Sequence, residues 1–82
     1  MTKITIVPDD KLILVDNIPA HNVDMSGIKT FHAIQYNSET GGHLEFFDDT
    51  PNIPLNSDND ILVNTGISLE EFIKRHNSAL NV

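Results

Sequence analysis

The stretch FHAIQYNSETGGHLEFFDD, Phe31 to Asp49, decides the fold. It gathers His32, His43, Tyr36, Gln35, Glu45 and three further acids, the residue types of an active site. It also has the pattern of a β-hairpin. Phe31 to Tyr36 is aromatic and β-branched and contains no breaker. Asn37 to Gly42 is a turn of about six residues whose two glycines accept the positive φ angles of a hairpin connection. His43 to Phe47 forms the return strand. Strict alternation sets His32, Ile34 and Tyr36 on one face and Phe31, Ala33 and Gln35 on the other. The natural register brings Leu44 and Phe46 onto the face of Ile34 and Tyr36, and leaves His43, Glu45 and Phe47 opposite. Cross-strand pairs of that kind stabilise by about 0.2–1 kcal/mol each. The hairpin accounts for the segment without any chemistry.

Outward from it, KITIVPDDKLILVD repeats the theme. Ile4, Ile6 and Val7 lead into Pro8-Asp9-Asp10, and Leu12 to Val15 return, a second antiparallel hairpin. Asp16-Asn17 is a turn. Ile18 can extend a short strand, but Pro19 confines it to an edge or a loop. Val23, Met25 and Ile28 belong to an irregular crossover with a turn at Ser26-Gly27 and room for one short helical turn. After the second hairpin, DDTPNIPLNSDND reads as a loop pinned to the core by Ile53 and Leu55. Ile61, Leu62 and Val63 suggest a short last strand or a buried loop. SLEEFIKRHNSALNV, Ser68 to Val82, is a helix. Ser68 and Glu71 make a capping box, Glu70 and Glu71 suit its positive end, and Leu69, Phe72, Ile73 and Leu80 form its apolar face. The expected architecture is a single α+β domain over residues 1–82. A small antiparallel sheet of about four strands, two hairpins, is packed by one C-terminal α-helix.

Eighty-two residues with 39% hydrophobic content allow one modest core. Such a chain buries roughly 60–65% of its unfolded surface and holds about 5 kcal/mol of stability. A pocket of about 300 Å³ would consume much of that core, so catalysis by one chain is disfavoured, while a homo-oligomer could build a site at its boundary. Twelve acids against five Lys and Arg give a net charge of −7. That argues against direct nucleic-acid binding and anionic membranes, and favours a basic partner. No cysteine is present, which removes disulfides and thiolate metal sites. No apolar run approaches the roughly 20 residues of a membrane span. The start MTKITIVPDD lacks the features of a signal peptide, and the chain is expected to be cytosolic, mature and complete.

Plain structure accounts for each chemistry-bearing cluster. His32, His43 and Glu45 are the best metal candidates, but the register sets His32 on the face opposite the other two. Glu45 with Asp48 or Asp49 could form an acid–base pair only in a low-dielectric cleft, and Asp48-Asp49 beside Thr50-Pro51 reads as a solvated turn. No serine sits in a nucleophile setting, and no glycine-rich loop leads through Lys into a helix. Asp58, Asn59 and Asp60 miss the spacing of a calcium loop. Catalytic, cofactor and metal residues are therefore none. Asp9, Asp10, Asp48, Asp49, Asp58 and Asp60 all fall in turns, and if gathered at one end of the sheet they would make a patch for a basic groove. Exposed Tyr36 or Phe47 beside it would anchor an interface. The partner-binding residues read from the sequence are Tyr36, Glu45, Phe47, Asp48 and Asp49.

ITIVPDDKLILVDN, then VDMSGI, then FHAIQYNSETGGHLEFFDDTPNIPL resemble, in order and spacing, a family of small uncharacterised proteins encoded by tailed bacteriophages, often near tail or tail-fibre genes. The resemblance runs to about Leu55. Tyr36 stands where the family often has Trp, Asp49-Thr50 replaces an Asp-Gly turn, and Asn56 to Gly66 is longer than usual. The resemblance implies a phage context and no established activity. The expectation is a non-enzymatic protein acting by protein–protein contact with a phage or host protein, in the host cytoplasm or in the virion. It would be a minor tail-associated component or an assembly helper. The alternative is an acidic host-takeover or anti-defence inhibitor that blocks a basic site on a host protein.

Overall fold

The computed structural model describes residues 3–29 and 31–80. The fold is α+β, with six strands and two helices rather than four and one. The strands are β1 (Lys3–Val7), β2 (Leu12–Val15), β3 (Ile18–Ala20), β4 (Ala33–Asn37), β5 (Gly41–Glu45) and β6 (Ile53–Leu55). They form one sheet in the order β3-β2-β1-β4-β5-β6, with every neighbouring pair antiparallel. Two three-stranded meanders therefore lie side by side, joined where β4 pairs with β1.

Both hairpins form as the sequence indicates. Val7 faces Leu12 across the Pro8–Asp10 turn, and Lys11 takes the left-handed conformation that closes it. Ile34 faces Leu44, so the second hairpin has the expected register. Its connection is tighter than six residues, because β5 begins at Gly41, whose φ is +78°. A Cβ on Gly42 would fall on the backbone oxygen of Gln35 and lie 2.7 Å from the Cα of Tyr36. The ladder approaches too closely there for any side chain. Ile18–Ala20, with Pro19 at its centre, is an edge strand.

Three expectations need correction. First, Ile53 and Leu55 do more than pin a loop: they pair with Leu44 and Gly42 as the opposite edge strand, with Pro54 between them. Second, Ile61 to Val63 is neither strand nor loop but part of helix α1 (Asp58–Thr65). Extended Ser57 precedes it and Asp58 and Asp60 occupy its positive end. Gly66 at φ +82° ends it, donating its N–H to the Leu62 carbonyl at 2.8 Å. These terminal signals outweigh the β-branched run. Third, alternation breaks at the start of β4. Phe31 is in the core while His32 is exposed, the reverse of strict pleating, because the strand proper starts at Ala33. The crossover from His21 to Lys29 is irregular, as expected, and contains no helical turn.

Helix α2 (Leu69–Leu80) is capped by the Ser68 hydroxyl, which accepts from the Glu71 N–H at 3.1 Å. The other half of the capping box is replaced: the Glu71 carboxylate accepts from Arg75 Nε at 3.1 Å. Asn81 and Val82, which the sequence pattern also runs into this helix, lie outside the described residues. The buried residues of α2 are Leu69, Phe72 and His76, and Leu80 is exposed.

Both helices cover the same face. In the sheet, Ala20, Ile13, Ile6, Ile34 and Leu44 form one buried row, and Ile4, Tyr36 and Leu55 lie in the next. Phe31, Val23, Ile61, Leu69 and Phe72 close over them. α2 packs on β2 and β3, and α1 on β6. Arg75 holds the crossover down, donating from Nη1 to the carbonyls of Asp24 and Ser26 at 3.0 and 2.9 Å. Among the described residues no helix lies on the other face of the sheet.

Candidate functional site

The register sorts the turns into two ends of the sheet. β1 leaves at Val7, and β5 leaves at Glu45, on the same end. Asp9-Asp10 and Asp48-Asp49 therefore share that end. Asp58 and Asp60 follow Leu55 and stand at the other. The six acids do not form one patch, but four of them share one end.

Phe47 sits at that end with 56% of its surface exposed. Its ring tilts at 55° against that of His32, centroids 5.0 Å apart. The stack sets its orientation without removing it from water, and an aromatic held in this way loses little freedom when a partner covers it. The loop beyond it is fixed by its own hydrogen bond. Asp48 Oδ1 accepts from the Thr50 N–H at 2.9 Å, and the hydrogen bonds to Thr50 hold its carboxyl below the usual range. Asp49 is exposed beside it. On the strand before, Glu45 Oε2 lies 3.1 Å from His43 Nε2. Glu45, Phe47, Asp48 and Asp49 thus all stand at this end of the sheet.

Tyr36, read from the sequence as part of that group, stands elsewhere. It is 3% exposed, on the covered face and toward the opposite end. Its hydroxyl donates to Asp58 Oδ1 at 2.8 Å, tying β4 to the start of α1. Burial and that carboxylate push its pKa up to about 12. Its place is structural.

His76 is the residue that sequence reasoning undervalued. It recurs at helical spacing with Phe72 and Leu69, which is the one signal that it faces inward. It is 2% exposed, and its Nε2 donates to the Ile18 carbonyl at 2.7 Å. That bond fastens α2 to the edge strand β3.

The chemistry-bearing side chains do not gather. His43 meets Glu45 while His32 turns to Phe47, and among the described residues no three His, Asp or Glu side chains are placed to hold a metal ion. The depressions in the surface are open to solvent. One, about 470 Å³, is a groove between α1 and α2 lined by Leu62, Leu69 and Ile73 together with Asp58 and Glu70. A second, about 380 Å³, lies on the uncovered face near Lys3, Gln35, Asn37 and His43. No described helix is long and apolar enough to cross a membrane. No family model, no curated protein and no solved structure matches the chain.

Proposed function

We propose that the chain is a phage protein that works without catalysis, by binding another phage protein as a minor tail-associated component or assembly helper. The observation that carries this reading is Phe47: a large aromatic, exposed, oriented by His32 and bordered by a turn that Asp48 fixes. Exposed aromatics in fixed frames are the usual anchors of interfaces. The phage context rests on the sequence resemblance running from the first hairpin to about Leu55. Tagged protein recovered from infected cells should carry a phage structural or assembly protein. Phe47→Ala should lose it at unchanged fold, by about 2 kcal/mol of binding or more. Retention of the partner by Phe47→Ala removes the anchor and the reading with it.

A second reading keeps the same surface and changes the partner to a host protein with a basic site. What favours it is the placement of Asp9-Asp10 and Asp48-Asp49 at the Phe47 end. The double change Asp48→Lys, Asp49→Lys separates the two. It abolishes binding if charge recruits the partner. It leaves binding largely intact if Phe47 dominates.

A further inference from the structure

Away from the Phe47 end, the groove between α1 and α2 combines exposed aliphatic surface with carboxylates that no base offsets. Helix α1 turns Ile61 and Thr65 into the core and leaves Leu62 44% exposed. Leu62 lines the groove with Leu69 and Ile73 of α2. Its carboxylates are Asp58 and Glu70, one from each helix, and among the described residues no Lys or Arg lines it. The sequence explains the imbalance: from Thr30 to Ile73 it contains no Lys or Arg. The bases that flank this run face elsewhere. Lys74 lines a separate depression with Arg75 and Asp24. Lys29 stands at the C-terminal end of α1, where its N–H meets the Thr65 carbonyl at 3.1 Å. The neighbouring acids have partners: Glu71 takes Arg75, and Asp60 accepts the Asn56 N–H at 2.8 Å. Glu70 is exposed and has no hydrogen-bond or ionic partner among the described residues. The positive ends of the two helices supply about half a charge each, so two carboxylates leave the groove negative.

We infer that this groove binds an amphipathic α-helix of a partner protein, which enters with aliphatic side chains and sets Lys or Arg against Asp58 and Glu70. Backbone chemistry selects a helix. The walls are themselves helices and offer no ladder of free N–H and C=O groups. An extended segment would bring its own backbone groups there without partners, whereas a helix pairs them internally. A helix packs against another at an axial distance of about 8–10 Å. Helix α1, eight residues long, gives it a bed of about 12 Å, or two turns. Two turns present apolar anchors at i, i+3 or i+4, and i+7, the usual reading frame of a helix in a groove. Charge selects the flanks. An anionic bilayer, or a second copy of the chain with its own −7, is repelled by this end of the molecule, and a basic helix is drawn to it. Asp58 stands at the sheet end opposite Phe47, so this inference does not rest on the Phe47 reading.

Amide chemical shifts of the isotope-labelled full chain, titrated with a synthetic peptide at near-physiological salt, test this. The probe is a helix of about 14 residues with Leu at i, i+3, i+4 and i+7 and Lys elsewhere. The expected shifts gather on Asp58 to Ile73 and saturate below about 1 mM peptide. No saturable shift there, or shifts centred on the Phe47 turn, overturns the inference. Two control peptides, one with Glu for every Lys and one with the same residues but scattered leucines, should each bind about tenfold more weakly or worse. Equal binding of either overturns it. Leu62→Ser and Val63→Ser remove exposed aliphatic side chains from the same helix, but only Leu62 lines the groove. The first should weaken the probe about fivefold or more, and the second should leave it within about twofold. Glu70→Gln and Ser78→Lys each raise the net charge by one unit, about 12 Å apart along α2 and so beyond a Debye length. Glu70→Gln should weaken the probe about threefold or more, and Ser78→Lys should leave it within about twofold. Equal effects within either pair overturn the inference, and if Leu62→Ser fails to fold, the charge pair and the shift map decide.

Discussion

Ile6 and Val7 are neighbours in sequence and meet opposite fates. Ile6 points into the row that Phe72 and Ile61 close over and is fully buried, while Val7 points to the face that no helix covers and stays half-buried. The same strands serve both sides, so the difference lies in what the rest of the chain supplies. Among the described residues both helices go to one face, and no helix lies on the other. The covered face holds the molecule together. The other face is less deeply buried, with Val7, Leu12 and Leu14 only half-buried.

The sharpest way to break this contrast is Phe72→Ala. It should cost about 3–5 kcal/mol, most of the stability expected of a chain this size, whereas Leu14→Ala should cost under about 1 kcal/mol because Leu14 already touches water. Urea denaturation of both variants checks the pair, and equal losses would erase the distinction between the faces. Next in size is His76→Leu, which keeps volume but leaves the Ile18 carbonyl without its donor. A loss of about 1–3 kcal/mol is expected, with hydrogen exchange faster at β3 than at β4.

Tyr36 sharpens the contrast through pH. Its pKa is raised on folding from 10.0 to about 12, so the native state holds the phenolic proton more tightly than the unfolded chain does. The stability it contributes is complete below pH 10 and is lost as pH rises toward 12. The chain has one tyrosine and no tryptophan, so phenolate absorbance reports this residue alone. Folded protein should resist ionisation through pH 10–11, whereas titration at the ordinary value would place Tyr36 in water. Tyr36→Phe should cost about 1.5–3 kcal/mol, since the lost bond runs to a carboxylate. The smallest effect belongs to the open face. Glu45→Gln, which removes the contact with His43, should change stability by less than about 1 kcal/mol at neutral pH.

Much of this arrangement is legible in the sequence. The two hairpins, the register of Ile34 with Leu44, the edge position of Pro19 and the run of α2 all follow from local chemistry: alternation, turn residues and a cap. What was hidden depends on partners distant in the chain. Tyr36 is buried because Asp58, 22 positions later, accepts its hydroxyl. His76 is buried because the Ile18 carbonyl, 58 positions earlier, accepts its proton. Neither polar residue announces its burial locally. α1 was hidden for another reason. Its interior Ile61-Leu62-Val63 favours strand, while its ends, Asp58 with Asp60 and Gly66, favour helix, and the ends prevailed. Glu45, Phe47, Asp48 and Asp49 lie near one another because they are near in sequence, whereas Tyr36, beyond the turn, is buried on the covered face.

The two prolines, Pro19 and Pro54, occupy the middle of the outermost strands, one on each flank of the sheet. Neither flank offers an uninterrupted row of amide donors to an incoming ribbon. Lengthening of the sheet by strand addition is thereby disfavoured at both edges, and a partner has to meet this chain through side chains rather than through a shared ladder.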